Sequence, residues 1–259
     1  DQAERLVRLV TAMNQVASEH EAPSVRDGHP FRVGMWVGES ASPNMLEGHR
    51  NRKDARSIIL DQRKGAGLKT NTRAIMFESC PWCGSDSIVD PHNWEIGRIR
   101  ERKALIGRCK GDGCPYDSEE GIPFTPVDED IYNNPPSILL GTVDKFVQAA
   151  YNRTYESASR GTPANVRTLL GYSGSNRPPD LIIQDELHLL SGPLGSLAGL
   201  LETALDVAWH ESCDGHRPKY VAATATIRGA ERDAKLMFGR ELNIFPPPVN
   251  RASDNFFAR

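Results

Sequence analysis

The sequence lacks the features that mark several specialised classes of protein. It contains no run of 18 apolar residues, so no helix long enough to cross a bilayer is predicted. Its first residues, Asp1 to Arg5, include neither a basic nor an apolar segment, so no secretory signal is recognised. Glycine and proline, 22 and 18 of 259 residues, are too few for a collagen-like or low-complexity chain. We therefore predict a globular cytoplasmic protein without membrane association.

Neither sign of charge dominates the composition, because 31 Lys and Arg face 34 Asp and Glu, for a net charge of −3. The charges are nevertheless segregated along the chain. Residues 49–110 hold 14 basic and 7 acidic residues, whereas residues 111–140 hold seven acidic residues and no basic one. A basic segment of this kind can contact nucleic acid, and it can equally be a solvated surface.

Apolar spacing predicts an amphipathic helix over residues 1–19, ended by Pro23, and a strand over residues 31–38. The next clear strand is residues 137–141. The hundred or so residues between these strands are too many for a simple connection. We therefore interpret residues 39–136 as an insertion.

After residue 137 short apolar strands alternate with helices. Strands are predicted at residues 138–140, 181–184 and 220–224, and helices at residues 143–151, 165–170, 194–209 and 230–238. Apolar strands alternating with helices indicate a parallel sheet covered by helices on both faces. The expected fold class is therefore α/β, with one domain formed by residues 1–38 and 137–259. Ligands of such sheets bind at the carboxyl ends of the strands, where polar residues follow here.

The clearest motif of this kind is Asp185, Glu186 and His188, which follows the apolar strand at 181–184. In a nucleotide-hydrolysing site the first carboxylate holds Mg²⁺ through water, and the second activates the attacking water. An Asp-Glu pair can also simply cap a helix. The apolar strand in front of the pair, and a second motif further along the chain, favour the nucleotide site.

That second motif is Thr224 and Thr226, which end an apolar strand 36 residues after His188. A gap that holds one helix corresponds to a single crossover, which would set the two strand ends side by side. The threonine hydroxyls could then hydrogen-bond to His188 or to the carboxylates. Small residues that fit a crowded strand end are the alternative explanation.

These two motifs resemble motifs II and III of the DExH type of superfamily 2 helicases and translocases. Residues 141–146 resemble the motif Ib region, which implies that Thr142 and Lys145 contact the nucleic-acid backbone. Residues 179–195 are similar to the large helicase subunit of the bacterial DISARM anti-phage system, the DrmA-like proteins.

The resemblance implies a RecA-like fold and an ATP-dependent motor acting on DNA. Asp185 would hold Mg²⁺ and Glu186 would activate water, while His188, Thr224 and Thr226 would link hydrolysis to movement. Other subunits of a multi-protein defence complex would be its partners.

One element of such motors is missing, because Gly-x-x-x-x-Gly-Lys-Ser/Thr, the phosphate-binding loop, does not occur in the sequence. The nearest candidate is the segment 64–70, in which Leu68 separates Gly67 from Lys69. In the related motors this loop precedes the region that matches residues 1–38. We therefore expect the chain to be part of a longer protein and inactive in ATP hydrolysis by itself.

Four of the five cysteines form two pairs: Cys80 with Cys83, and Cys109 with Cys114. Paired cysteines at such spacings predict a tetrahedral structural zinc site. The 25 residues between the pairs can form a hairpin. Two disulfides or four free thiols are the alternatives, and the absence of a secretion signal favours zinc.

Basic residues cluster around this cysteine module, and we predict that Arg98, Arg100, Arg102 and Lys103 bind nucleic acid. Trp82 and Trp94 could add stacking to the phosphate contacts. The same surface could instead dock a partner subunit. For the chain as a whole, the rival of the motor hypothesis is a non-catalytic, zinc-bearing scaffold that binds nucleic acid or protein.

Overall fold

A computed structural model describes residues 2–20, 30–48, 54–65, 72–149, 169–171, 177–190, 193–224, 235–236 and 238–246. By its packing the chain divides into two compact units, Asp1–Leu170 and Gly171–Arg259. Within the described residues, no helix combines the length and the apolar character needed to cross a bilayer.

The first unit begins with the predicted amphipathic helix, α1 (Gln2–Glu19). Its inner face buries Ala3, Val7 and Val10. On its outer side Arg8 and Glu4 form an ion pair of 2.6 Å. Such exposed pairs one turn apart add only a few tenths of a kcal/mol, so burial of the apolar stripe is what holds the helix in place.

Three parallel strands form the sheet of this unit. The central strand β1 (Val33–Trp36) pairs with β4 (Phe124–Thr125) on one side and with β5 (Ile138–Gly141) on the other. Position 34 must be glycine, because a Cβ atom there would lie 2.6 Å from Cγ of Pro136. The predicted strands at residues 31–38 and 137–141 are confirmed, and so is parallel pairing.

The residues between β1 and β5 pack into the same core as α1 and β1. Tyr116, far along this segment, donates a hydrogen bond of 2.9 Å from its hydroxyl to the carbonyl of Thr11 in α1. The shared core contains the following side chains: Val7, Val10, Val33, Ile58, Ile59, Phe77, Trp94, Leu105 and Tyr116. Segment 39–136 is therefore not a separately packed module, and its boundaries at 38 and 136 stay a prediction.

Two elements of this segment build one of its surfaces. Helix α2 (Ala55–Arg63) is capped by Asp54, whose carboxylate accepts a hydrogen bond from the amide of Ser57. The antiparallel hairpin consists of β2 (Trp94–Ile99) and β3 (Arg102–Gly107), and it confirms the hairpin expected between the cysteine pairs.

Helix α3 (Asp128–Asn133) lies entirely in the interior, although it begins with three acidic residues. The second and third carboxylates each accept a hydrogen bond from a backbone amide in a distant part of the chain. Glu129 accepts a hydrogen bond of 2.9 Å from Leu46, and Asp130 accepts one of 2.9 Å from Leu105 in β3. Burial raises the pKa of Asp130 to about 6. The acidic run at residues 111–140 is thus partly a set of internal anchors rather than a solvated surface.

The second unit contains strand β6 (Leu181–Gln184), a 3₁₀ turn (Leu187–Leu190), helix α5 (Pro193–Ser212) and strand β7 (Lys219–Ala222). The two strands are parallel neighbours over four residue pairs. The crossover expected between the two motifs is therefore confirmed. The α/β fold class with parallel strands is confirmed in both units.

The chain differs from the sequence-based expectations mainly by additional elements. Helices α2 and α3 and strand β4 were not predicted, because each is short and lies among turn-forming residues. Helix α4 (Val143–Ala149) matches the helix expected from residue 143. Outside the described residues lie Pro23, Thr226, residues 165–168 and 230–234, and most of the loop at 64–70.

Candidate functional site

The four paired cysteines converge at one point of the first unit. All the sulfur atoms of Cys80, Cys83, Cys109 and Cys114 lie within 4.8 Å of one another. The nearest distances are 3.5 Å from Cys83 to Cys109 and 3.9 Å from Cys80 to Cys114. A disulfide requires about 2.05 Å, so the thiols are free. Four sulfur ligands at Zn–S distances of about 2.3 Å would lie about 3.8 Å apart in a tetrahedron. The cluster could therefore hold a metal ion.

Each cysteine pair is held by a tight turn of the backbone. At the first pair, the amide of Gly84 donates to the carbonyl of Cys80 at 2.9 Å, and Gly84 has a φ of +75°. At the second pair, the amide of Cys114 donates to the carbonyl of Gly111 at 3.1 Å. The β2–β3 hairpin lies between the two turns in the chain. Because its strands are antiparallel, it brings the second cysteine pair back beside the first.

The surroundings of the sulfur atoms differ in whether they stabilise the thiolate form. Burial opposes ionisation of Cys109, but hydrogen bonds from Ser87 (3.3 Å) and from the amide of Gly111 (3.4 Å) contribute to lowering its pKa to about 7. Burial raises the pKa of Cys80 to about 11 and also raises the pKa of Cys114. A bound cation would compensate for this desolvation and displace the remaining protons.

Ser87 was not identified from the sequence. Its hydroxyl accepts a hydrogen bond of 2.9 Å from the amide of Lys110 and contacts the sulfur of Cys109. It lies four residues beyond Cys83 in a short 3₁₀ turn (Asp86–Val89), a position with no recurrent sequence signal.

The predicted nucleic-acid contacts Arg98 and Arg100 lie at the tip of the hairpin, and both are exposed. The side chain of Arg98 is 67% exposed and lies 3.8 Å from Glu101. Arg100 and Glu101 have φ values of +51° and +64°. Turns of this conformation usually contain glycine or asparagine, so this tip holds its side chains outward at a cost in backbone strain.

The other two predicted contacts are tied more closely to the protein. Arg102 donates a hydrogen bond of 2.7 Å to the carbonyl of Asn133. Lys103 forms an ion pair with Glu47, which also pairs with Arg56 of α2 at 2.9 Å. Glu47, Arg56 and Lys103 line a groove of about 500 Å³ between α2 and the hairpin. Much of the positive charge here therefore stabilises the fold.

The motif Ib region places its two predicted contacts in opposite environments. Thr142 is exposed at the end of β5, and its carbonyl accepts the amide of Lys145 at 3.0 Å in the first turn of α4. Lys145 is buried, and its ammonium lies 2.5 Å from the carboxylate of Asp128 and 3.3 Å from the amide oxygen of Asn44. Its charge is neutralised inside the protein, so we correct its predicted role as a phosphate contact.

The two tryptophans near the cysteines also differ. Trp94 is only 1% exposed, and its ring nitrogen donates to the carbonyl of Ile88 at 2.6 Å. A stacking role for Trp94 is therefore wrong. Trp82 is 44% exposed beside the cysteine cluster, packed edge-on against Tyr116.

In the second unit, the residues of the two strand-end motifs come together as expected. Asp185 and Glu186 are exposed directly after β6. His188 Nδ1 lies 3.2 Å from Glu186 Oε2 and 3.4 Å from Thr224 Oγ1. The amide of Leu187 donates to the carbonyl of Ala223 at 3.0 Å, which joins the two motifs through the backbone.

The backbone at Glu186 has a φ of +53°. A non-glycine residue in this region costs on the order of 1 kcal/mol, and such strain often marks functional positions. Here it turns the chain at the strand end and leaves the Asp185 and Glu186 side chains in solvent. Two exposed carboxylates beside a histidine that one of them contacts could bind a hydrated cation and accept a proton from water.

Comparison with known proteins finds a relative that matches the whole chain. The chain is 31% identical over 284 aligned positions to the DISARM protein DrmA of Bacillus paralicheniformis. The similarity covers all of this chain and 24% of that protein, so the chain spans about a quarter of the relative's length. No protein-family model matches the chain. The predicted resemblance to DrmA-like proteins is confirmed.

Proposed function

We propose that this chain forms part of an ATP-dependent helicase or translocase motor that acts on DNA in anti-phage defence. The observation that carries the proposal is that the two strand-end motifs lie together, because Thr224 and Glu186 both contact His188 Nδ1. The similarity to DrmA over the whole chain supports the defence role. Because DrmA is about four times as long, the proposed motor is the longer protein rather than this chain alone.

In the proposed site, Asp185 would hold Mg²⁺, and the ion would offset negative charge on the phosphates of ATP. Glu186 accepts a proton from the attacking water, because its exposed carboxylate directly follows Asp185, the residue proposed to hold Mg²⁺. When its Nδ1 is protonated, His188 donates to the Glu186 carboxylate and so orients it. Thr224 contacts the same nitrogen, so a shift of β7 would change how His188 holds Glu186. Thr226 would extend this link along the chain.

The central test is ATP hydrolysis by the natural full-length protein, purified and assayed with and without DNA. We expect hydrolysis that DNA stimulates several-fold, because a motor of this type couples its nucleotide site to the bound strand. RNA of the same length serves as the comparison substrate. A full-length protein that binds DNA but hydrolyses no ATP would instead support the non-catalytic scaffold.

We further propose that the cysteine cluster holds structural Zn²⁺. A set of four sulfur ligands favours zinc over the hard cations, which take oxygen ligands. The cluster lies within the core of the first unit, so its role is to hold the hairpin and its neighbours in place. A cytoplasmic location and partners from a defence complex remain part of the proposal.

The hairpin tip is the proposed nucleic-acid contact of the first unit, together with Thr142 at the end of β5. Arg98 and Arg100 carry this role because they are exposed at the tip. Arg102 is also exposed, but it is held by the carbonyl of Asn133, and Lys103 is paired with Glu47, so both contribute less. Replacing Arg98 and Arg100 with Ala should weaken DNA binding by about 10-fold or more at moderate salt. The slope of log affinity against log salt concentration should become less negative by about 2. This is about 1 for each phosphate that an arginine no longer neutralises.

Fluorescence anisotropy of labelled DNA over a salt series measures both effects. The matched control replaces Arg217 and Lys219 with Ala, which removes two exposed positive charges at the amino end of β7. If both double variants lose the same affinity, the effect is one of net charge. If neither loses any, the hairpin is better explained as a docking surface for a partner subunit.

A further inference from the structure

The residue that precedes the Asp185–Glu186 pair is held by a carboxyl group from another element. Gln184 is the last residue of β6, and its side-chain amide donates a hydrogen bond to Oε1 of Glu202 on α5. Both side chains are half-buried. Glu202 therefore reaches the strand end that carries the proposed catalytic residues.

The polar atom of each side chain that takes no part in this hydrogen bond lies in unusual surroundings. Gln184 Oε1 and Glu202 Oε2 are both inaccessible to solvent, and within the described part of the chain neither has a hydrogen-bond partner. An amide oxygen can only accept a hydrogen bond, and an ionised carboxylate can also only accept. A protonated carboxyl group can donate, so a single proton on Glu202 would satisfy both atoms.

We propose that Glu202 is a positioning residue that is protonated at pH 6.5 and donates a hydrogen bond from its Oε2–H to Oε1 of Gln184. The amide and the carboxylic acid then form two opposed hydrogen bonds, which fix the end of β6 and the turn at Glu186. The consequence for hydrolysis rests on the proposed function, whereas the proton on Glu202 does not.

The surrounding charges agree with this assignment. Burial is the main cause that raises the pKa of Glu202 to about 7. The hydrogen bond from Gln184 opposes this rise, and the carboxylate of Asp206, one turn further along α5, adds to it. Arg240 pairs with both oxygens of Asp206, at 2.8 and 3.1 Å.

The other elements packed around Glu202 supply no competing cation within the described residues. The Tyr220 hydroxyl on β7 donates to Asp206 at 3.3 Å, and Arg240 lies over the Tyr220 ring at 4.7 Å. His188, in the 3₁₀ turn that packs on α5, is directed to Glu186 and Thr224. An ionised Glu202 would keep the hydrogen bond from Gln184 Nε2, but its Oε2 and Gln184 Oε1 would both lack a donor among the described residues.

The direct test is infrared difference spectroscopy on the full-length protein, wild type against Glu202→Gln. The wild type should have a carbonyl band of a protonated carboxylic acid at pH 6.5 that disappears by pH 8.5. The variant should lack this band while Asp128 and Asp130, also buried acids, contribute equally to both spectra. Identical difference spectra for the two proteins at every pH would overturn the proposal.

The functional consequence is tested by the pH profile of ATP hydrolysis. Glutamine can donate and accept as the protonated acid does, so Glu202→Gln should keep wild-type kcat at pH 6.5. Between pH 6.5 and 8.5 the wild-type kcat should fall several-fold relative to the variant, with KM for ATP unchanged in both. Glu202→Leu, which can make neither bond, should lower kcat several-fold throughout.

The infrared and kinetic measurements together separate the positioning role of Glu202 from the proposed function. If the band is present but Glu202→Gln has the wild-type pH profile, Glu202 is protonated without positioning the site, and the positioning role is wrong. If the full-length protein hydrolyses no ATP, the proposed function fails, and the infrared band alone decides whether the proton is there.

Discussion

Removal of the metal proposed at the four-cysteine cluster is expected to unfold most of the unit Asp1–Leu170. Cys80, Cys109 and Cys114 belong to the same core as α1 and Trp94, so the cluster cannot open without exposing that core. Structural zinc binds with on the order of 10 kcal/mol, while a domain's whole stability is about 5–15 kcal/mol. Loss of the ion would therefore remove most or all of the free energy that keeps this unit folded.

The expected readouts are one equivalent of zinc per chain by elemental analysis, and loss of near-ultraviolet circular dichroism after chelation. Cys109→Ser should behave like the chelated protein, because it replaces a thiolate ligand at the centre of the cluster. The matched control is Cys213→Ser. Cys213 is the remaining cysteine; its thiol donates to the carbonyl of Gly171 at 3.3 Å in the second unit.

We expect Cys213→Ser to keep its zinc and its unfolding profile. If Cys109→Ser and Cys213→Ser retain equal zinc and equal resistance to protease, the cluster is a group of free thiols. That result would leave the hairpin held by its apolar core alone.

Glu186→Gln should lower the kcat for ATP by about 100-fold or more in the full-length protein while preserving ATP binding. Transfer of a proton to a positioned base typically contributes about 10²–10⁴-fold to a rate, and glutamine keeps the shape but cannot accept the proton. The side chain of Glu186 is 57% exposed, so its replacement should leave stability within about 0.5 kcal/mol of wild type.

The measurements are steady-state hydrolysis, the Kd for ATP and the thermal unfolding profile, each compared with Glu211→Gln. Glu211 is an exposed acid near the end of α5, so this variant has the same change of charge away from the site. Normal turnover in Glu186→Gln would remove Glu186 from the catalytic role. Loss of ATP binding along with turnover would point to damage of the whole site rather than loss of a base.

The two strand-end motifs could be predicted from the sequence because each is a local pattern attached to an apolar strand. The crossover length between His188 and Thr224 limited how the strands could pair, and the structure has them as parallel neighbours. The cysteine pairs were predictable for the same reason, since the spacing within each pair sets a tight turn. The hairpin between them required only enough chain to turn back.

The failures of prediction concern partners that are distant in the chain. Lys145 lies in a motif that resembles a nucleic-acid contact, yet Asp128 neutralises it from 17 positions away. Trp82 and Trp94 are the same residue type close together in the chain, but one is exposed and the other is buried in the core. Nothing in the local pattern of residues 39–136 indicated that they would share a core with α1.

Local sequence patterns set the chemistry available at each site: two carboxylates and a histidine after one strand, a threonine after the next, and two cysteine pairs. Such features depend on neighbours within a few positions, where the chain geometry leaves little freedom. Packing between distant elements determines which charges remain in solvent, which carboxyl group reaches Gln184 and which arginines lie at the hairpin tip. Burial and ion pairing are set by elements that are far apart in the chain, so only packing selects the groups that stay free to act.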